Sequence, residues 1–123
     1  MDYNVDVKTG FRQNAETDAN VFITLIGTSG QTREMRIDHP KKDDFEKGRS
    51  NVFGLGAEDV GDLTQIRVRH DNSGRQPGWY LRWILIEVEH DNNKKEWRAT
   101  CNTWLATDEG DGKIDRTFDL RSV

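Results

Sequence analysis

Apolar and polar residues alternate with a period of two along most of the chain. Tyr3, Val5 and Val7 alternate with Asn4, Asp6 and Lys8, the pattern of a strand buried on one face. Val21 to Ile26 form a compact β-rich run ending in the turn-forming stretch Gly27-Thr28-Ser29-Gly30. Gln31 to Ile37 follow as a hairpin partner, with Met35 and Ile37 in phase. Val52 to Leu55 predict a short strand, and Ile66 and Val68 alternating with Arg67 and Arg69 predict another. Trp79 to Val88 carry the longest strand signal. Trp79, Leu81 and Trp83 share one parity and Ile84, Ile86 and Val88 the other, which predicts a β-bulge near Arg82-Trp83 or a strand buried on both faces. Trp97 with Ala99, then Trp104-Leu105, then Ile114 to Leu120 complete roughly eight strands, with turn signals every ~8–15 residues, the spacing of a sandwich or barrel. The one helical expectation is a single turn over Ala57 to Leu63, with Glu58 and Asp59 at its N-terminal end.

Composition narrows the function. At 123 residues the chain reads as a single domain over 1–123, and its four Trp, two Tyr and five Phe are enough to build a core. Asp and Glu outnumber Lys and Arg by 22 to 18, and a net charge of −4 is not that of a nucleic-acid clamp. A lone Cys excludes an internal disulfide and a cysteine-cluster zinc site. The longest strictly apolar run, Trp83 to Ile86, falls far short of the ~20 residues a transmembrane helix needs. The start at Met1-Asp2-Tyr3-Asn4 is too polar for a signal peptide, and the end at Arg121-Ser122-Val123 fits a fragment of something larger.

Catalytic signatures are missing. There is no G-x-S-x-G elbow, no phosphate loop and no nucleophile–base–acid order, so the chain does not read as an enzyme. Cys101, close to Trp97 and Trp104, reads as a buried inert thiol, and His70, in phase with Ile66 and Val68, as a structural histidine pointing inward. Asp108 to Gly112 fail as an EF-hand loop, since Phe118 stands near the place of the bidentate Glu, and read as a solvated turn. Three loops are rich in hard oxygen donors: Thr9 to Asn20, Asp38 to Asp44, and His70 to Gly74. In a sandwich they can meet at one end, where Ca²⁺ would find the 6–8 oxygens it takes and would relieve the repulsion between carboxylates. Asp, Asn, Ser and Gly are also ordinary turn formers, so composition alone leaves both readings open.

The same loops resemble a known family. Thr17-Asp18-Ala19-Asn20-Val21-Phe22-Ile23 is similar to the G-T-D-A-N-V-[FY]-[IV] signature of PLAT/LH2 domains. Val7 to Gly10, Asp43 to Gly48 (for N-x-F-E-x-G), His70 to Gly74 (for H-D-N) and Gly78 to Trp83 (for G-W-[FY]-L) follow in order, and Trp104-Leu105 with Asp111 to Ile114 resemble the closing strands. The likeness covers nearly the whole chain and is strong to the tandem PLAT repeats of lipoxygenase-homology-domain proteins, which carry no lipoxygenase domain. Glu16 stands where the family usually has Gly, and Asp43 where it commonly has Asn.

The resemblance implies an all-β fold, an eight-stranded antiparallel β-sandwich of two four-stranded sheets. It also implies a non-catalytic calcium-binding module that associates with membrane lipids in a calcium-dependent way. By matching position the calcium ligands would be the Gly10 carbonyl with Thr17, Asp18, Asn20, Asp43, Asp44, Asp71 and Asn72. Phe11, exposed in a polar loop, is the expected inserting side chain, with Phe45 and Trp79 as core anchors. Lys41 and Lys42, and further out Lys47, Arg49 and Arg75, would meet lipid phosphates at ~1 kcal/mol each. The expected location is peripheral, at the cytoplasmic face of a membrane. The competing reading is a protein-interaction module in which calcium is structural or absent.

Overall fold

The computed structural model describes residues 1–39 and 43–123. The strands are β1 (Asp2–Thr9), β2 (Val21–Gly27), β3 (Gly30–Gln31), β4 (Met35–Ile37), β5 (Ser50–Gly56), β6 (Leu63–His70), β7 (Trp79–His90), β8 (Asn93–Leu105), β9 (Asp115–Asp119) and β10 (Arg121–Ser122). One sheet runs in the order β10, β8, β7, β1, β5. The other runs β3, β2, β6, β9, with β4 also paired to β2. All pairings are antiparallel.

Ten strands reduce to the expected eight on two physical grounds. β3 and β4 are halves of the expected hairpin partner of β2. They are interrupted where the Leu25 N–H donates to Thr32 Oγ1 (3.1 Å) and the Thr32 N–H donates back to the Leu25 carbonyl (2.9 Å). β9 and β10 flank Leu120, where the chain leaves β6 in one sheet and joins β8 in the other. Counted as continuous strands, they leave four in each sheet, with β10 as an added fragment on the edge.

The parity change in β7 is a bulge. Leu81 pairs with Thr103 and Trp83 with Thr100, so Arg82 stands opposite both Cys101 and Asn102. Trp79 and Leu81 face inward before it, and Ile84, Ile86 and Val88 after it. Two expectations fail. Trp97, Ala99, Trp104 and Leu105 belong to one strand, β8, because β7 offers an equally long partner. Ala57 to Leu63 form no helical turn. The Ala57 N–H donates to the Met1 carbonyl and the Val60 carbonyl accepts from Ser29, so neighbouring segments use the main chain a helix would need.

One core fills the space between the sheets, built from the inward parity of β1, β2, β6, β7 and β8. Wholly buried Trp79 donates its indole N–H to Thr9 Oγ1 (2.9 Å), closing the core beneath the acidic loops. Cys101 lies beside this core, and burial pushes its thiol up to about 12, which keeps it protonated and inert. Among the described residues no helix is long and apolar enough to cross a membrane.

Ile84 is fully buried whereas Val52 is 53% exposed on β5. Ile84→Ala is expected to lower the unfolding free energy by about 2–5 kcal/mol, and Val52→Ala to stay within about 0.5 kcal/mol. Urea denaturation of the two variants checks both values.

Candidate functional site

The three oxygen-rich loops meet at one end of the sandwich and are tied together by their own backbones. Gly10 donates its N–H to the Tyr80 carbonyl (2.9 Å), and its carbonyl accepts from Gly48 (2.9 Å). A Cβ at Gly10 would overlap the Tyr80 ring, so this close approach requires glycine. Thr17 donates to the Phe45 carbonyl (3.3 Å), Asp18 to the Gln76 carbonyl (3.0 Å) and Tyr80 to the Ala15 carbonyl (3.0 Å). Gly74, at a φ of 82°, brings the third loop against Asp18, with only 2.8 Å from a built Cβ to the Asp18 Cβ.

Several of the expected ligands are engaged in holding these loops. Buried Thr17 donates its hydroxyl to the Pro77 carbonyl (2.6 Å) and accepts from the Ala19 N–H (3.1 Å). Asn20 donates its N–H and its Nδ2 to the two Asp71 oxygens (3.1 and 2.8 Å), while Asn20 Oδ1 accepts from Arg36 (2.7 Å). Asp71 also accepts from the Ser73 hydroxyl (2.6 Å) and N–H (3.2 Å). Ser73 first, then Asn20, hold its carboxyl well below the usual carboxylate range. Asp44, nearly buried, accepts from the His39 N–H and Nδ1 (2.7 Å each) and from Asn51 Nδ2 (3.2 Å). These bonds hold Phe45 in a left-handed conformation (φ 61°), rare for a bulky residue, with its ring packed on Phe53 and Trp79. Asn72 is also left-handed (φ 59°) and donates its N–H to Nδ1 of buried His70.

Among the described residues a second group of carboxylates is less engaged: the side chains of Asp18, Asp43 and Glu46 accept no hydrogen bond, and Glu16 accepts one, through Oε1 from Gln76 Nε2 (3.4 Å). A cleft of about 210 Å³ opens between the first two loops, lined by Asp18, Asp43 and Glu46 and by Arg36 with Asp38. Beside it, Glu16 places Oε2 where water does not reach and gives it no hydrogen-bond partner. Burial first, then the charges of Asp43, Glu16 and Asp18, push the Glu46 carboxyl upward. Glu46 therefore lies in the field of Asp43, Glu16 and Asp18. The four do not close into a cage: among the described residues no three His, Cys, Asp or Glu side chains stand close enough to enclose a metal ion.

Of the expected ligands, Thr17, Asp18, Asn20, Asp43 and Asp44 line the cleft, with the side chains of Thr17, Asn20 and Asp44 already hydrogen-bonded, whereas Gly10, Asp71 and Asn72 lie outside its lining. Glu16 and Glu46 were not in the expected set. Their signal in the sequence was acidic side chains on each side of Thr17-Asp18 and just after Asp43-Asp44. Phe11 is 71% exposed, with its ring lying over the Gly48 backbone. Lys41 and Lys42 lie outside the described residues.

The fold and these loops have close counterparts. The PLAT/LH2 domain family matches residues 3–119, and the chain belongs to that family. Lipoxygenase homology domain-containing protein 1 of Mus musculus is 46% identical over 114 residues, 93% of this chain and 5% of that protein. Polycystin-1-like protein 3 of Mus musculus is 40% identical over 117 residues, 94% of this chain and again 5% of that protein. The chain thus spans a small fraction of these curated relatives. Coral 8R-lipoxygenase, described as calcium-activated through a C2-like domain, superposes with a TM-score of 0.83 at 27% identity over 98% of this chain and 17% of that one. A calcium-dependent 11R-lipoxygenase superposes at 0.77 with 25% identity, over 98% of this chain and 17% of its own.

Burial lowers the affinity of His70 for a proton, while the Leu105 carbonyl, 2.7 Å from Nε2, opposes the shift. The folded-state value lies below the ordinary 6.5, so as pH falls through 6.5 the unfolded chain takes up the proton first and stability drops. His70→Gln is expected to remove this part of the stability loss between neutral and mildly acidic pH, as measured by urea midpoints across that range.

Proposed function

We propose that this chain is a non-catalytic module that docks, calcium-bound, on an anionic membrane surface, peripherally and at the cytoplasmic leaflet. The observation that carries this reading is the unpartnered Glu16 Oε2 together with Glu46, whose carboxyl is pushed upward by burial and by the charges of Asp43, Glu16 and Asp18. A hard divalent cation suits that donor set, because oxygen ligands at flexible geometry are what Ca²⁺ takes. Asp18, Asp43 and Glu46, with Glu16 beside them, would have to draw closer together than they stand here to hold the ion, while Asn20, Asp44 and Asp71 keep the loop walls in register. The calcium dependence of the two lipoxygenases that share this fold supports the reading. Bound calcium would offset part of the local negative charge and bridge to lipid phosphates, and Phe11 is exposed at the same end to enter the interface.

Calcium is expected to raise the melting temperature of the native chain, since it binds the folded state. Glu46→Gln is expected to melt higher than the native chain in EGTA, because a repelling charge is gone, and to lose most of the response to calcium. An unchanged response in both Glu46→Gln and Asp18→Asn would overturn the site.

Liposomes containing phosphatidylserine are expected to pellet the chain with calcium and release it with EGTA. Phe11→Ala should weaken pelleting several-fold while leaving calcium binding intact. Calcium binding without pelleting would assign the loops to a protein partner instead.

A further inference from the structure

Three of the four sheet edges are blunted. β9 carries Asp115, Arg116 and Asp119. The β3–β4 edge is broken at Thr32 and bears Arg36, and β10 covers β8 around Arg98. β5 differs, since Ser50 to Ala57 hold no charge and no proline. Thr9 donates to the Arg49 carbonyl (3.0 Å) and Ala57 to the Met1 carbonyl (2.9 Å), and the register between them is unbroken. Odd-numbered residues of β5 therefore bond to β1, and the N–H and carbonyl groups of Ser50, Val52, Gly54 and Gly56 point away from the sheet. All four residues are exposed. Of these outward groups, among the described residues, only the Gly56 carbonyl has a partner, Arg33 Nη2 at 3.1 Å. Lys8 and Arg49 stand at its start, while at its end Asp2 and Glu58 are offset by Arg33, paired with Glu58 at 2.7 Å, and by the Met1 ammonium on the Ala57 carbonyl (3.0 Å).

We propose that β5 is the edge on which a second copy of this chain adds, the two β5 strands pairing antiparallel across a two-fold axis at Phe53. In that register Val52 faces the second copy's Gly54 and Ser50 faces its Gly56, so each larger side chain meets a glycine. Apart from the Gly56 carbonyl, which Arg33 already holds, the outward groups of one copy bond to those of the other, and two five-stranded sheets become one of ten. The proposal is independent of the calcium site.

Sedimentation equilibrium from micromolar to millimolar chain, in EGTA, tests it alongside amide hydrogen exchange. The mass is expected to climb from 14.2 kDa toward twice that value. The Val52 and Gly54 amides should slow at least tenfold at high concentration, while those of Phe53 and Leu55 stay equally slow throughout. Val52→Lys should remain monomeric with an unchanged melting temperature. A monomer at all concentrations with fast Val52 and Gly54 amides overturns the proposal, as does a dimer that Val52→Lys leaves intact. Protection of those amides only by an added extended peptide of another sequence also overturns it, in favour of a foreign strand.

Discussion

The acidic end of this sandwich depends on how its loops satisfy one another's backbones. A loop buried against other loops must find partners for its N–H and carbonyl groups without a regular ladder. Here Thr17, Asp18, Gly48 and Tyr80 each donate to a carbonyl on a different segment, so no loop can shift alone. Asn20, Asp44 and Asp71 complete the framework by accepting from or donating to atoms of the facing walls. With these side chains committed, Asp18, Asp43 and Glu46 are left along a shared cleft, with Glu16 beside it.

Two kinds of carboxylate therefore stand within one small region. Donors surround Asp71 and stabilise its charge. Glu46 has burial and like charges around it, which destabilise its charge. The distinction comes from local geometry rather than residue type. Asp71 begins a turn in which the Ser73 N–H and hydroxyl bend back onto it, whereas Glu46 follows left-handed Phe45, which redirects the chain toward the other acids. A rigid framework of satisfied acids that presents unsatisfied ones is the arrangement the proposed metal role requires.

The period of two made most of the fold legible. β1, β6 and β7 follow from alternation and β2 from its compact β-rich run, and the parity change near Arg82-Trp83 admits a bulge or a strand buried on both faces, of which the structure shows the bulge. The continuity of β8 was hidden because Asn102 takes a left-handed conformation inside it and disturbs the alternation around Thr100 and Thr103. The segment after Ala57 looked helical by local charge, yet its backbone serves Met1 and Ser29, which are distant in sequence. At the site, loop motifs identified the region. The division between framework and cleft could not be read from them, because it depends on which donors the turns bring to each acid.

The crossing at Leu120 has a mechanical consequence. The last stretch of chain is zipped to β6 on one side of the crossing and to β8 on the other, with the Leu120 amide anchored to Thr64. Neither layer can peel from its fellow without unzipping the same terminal stretch. Thermal opening should therefore engage both layers together rather than loosening one wall while the other persists, and the rim of acids stays seated on an undivided base until the whole body melts.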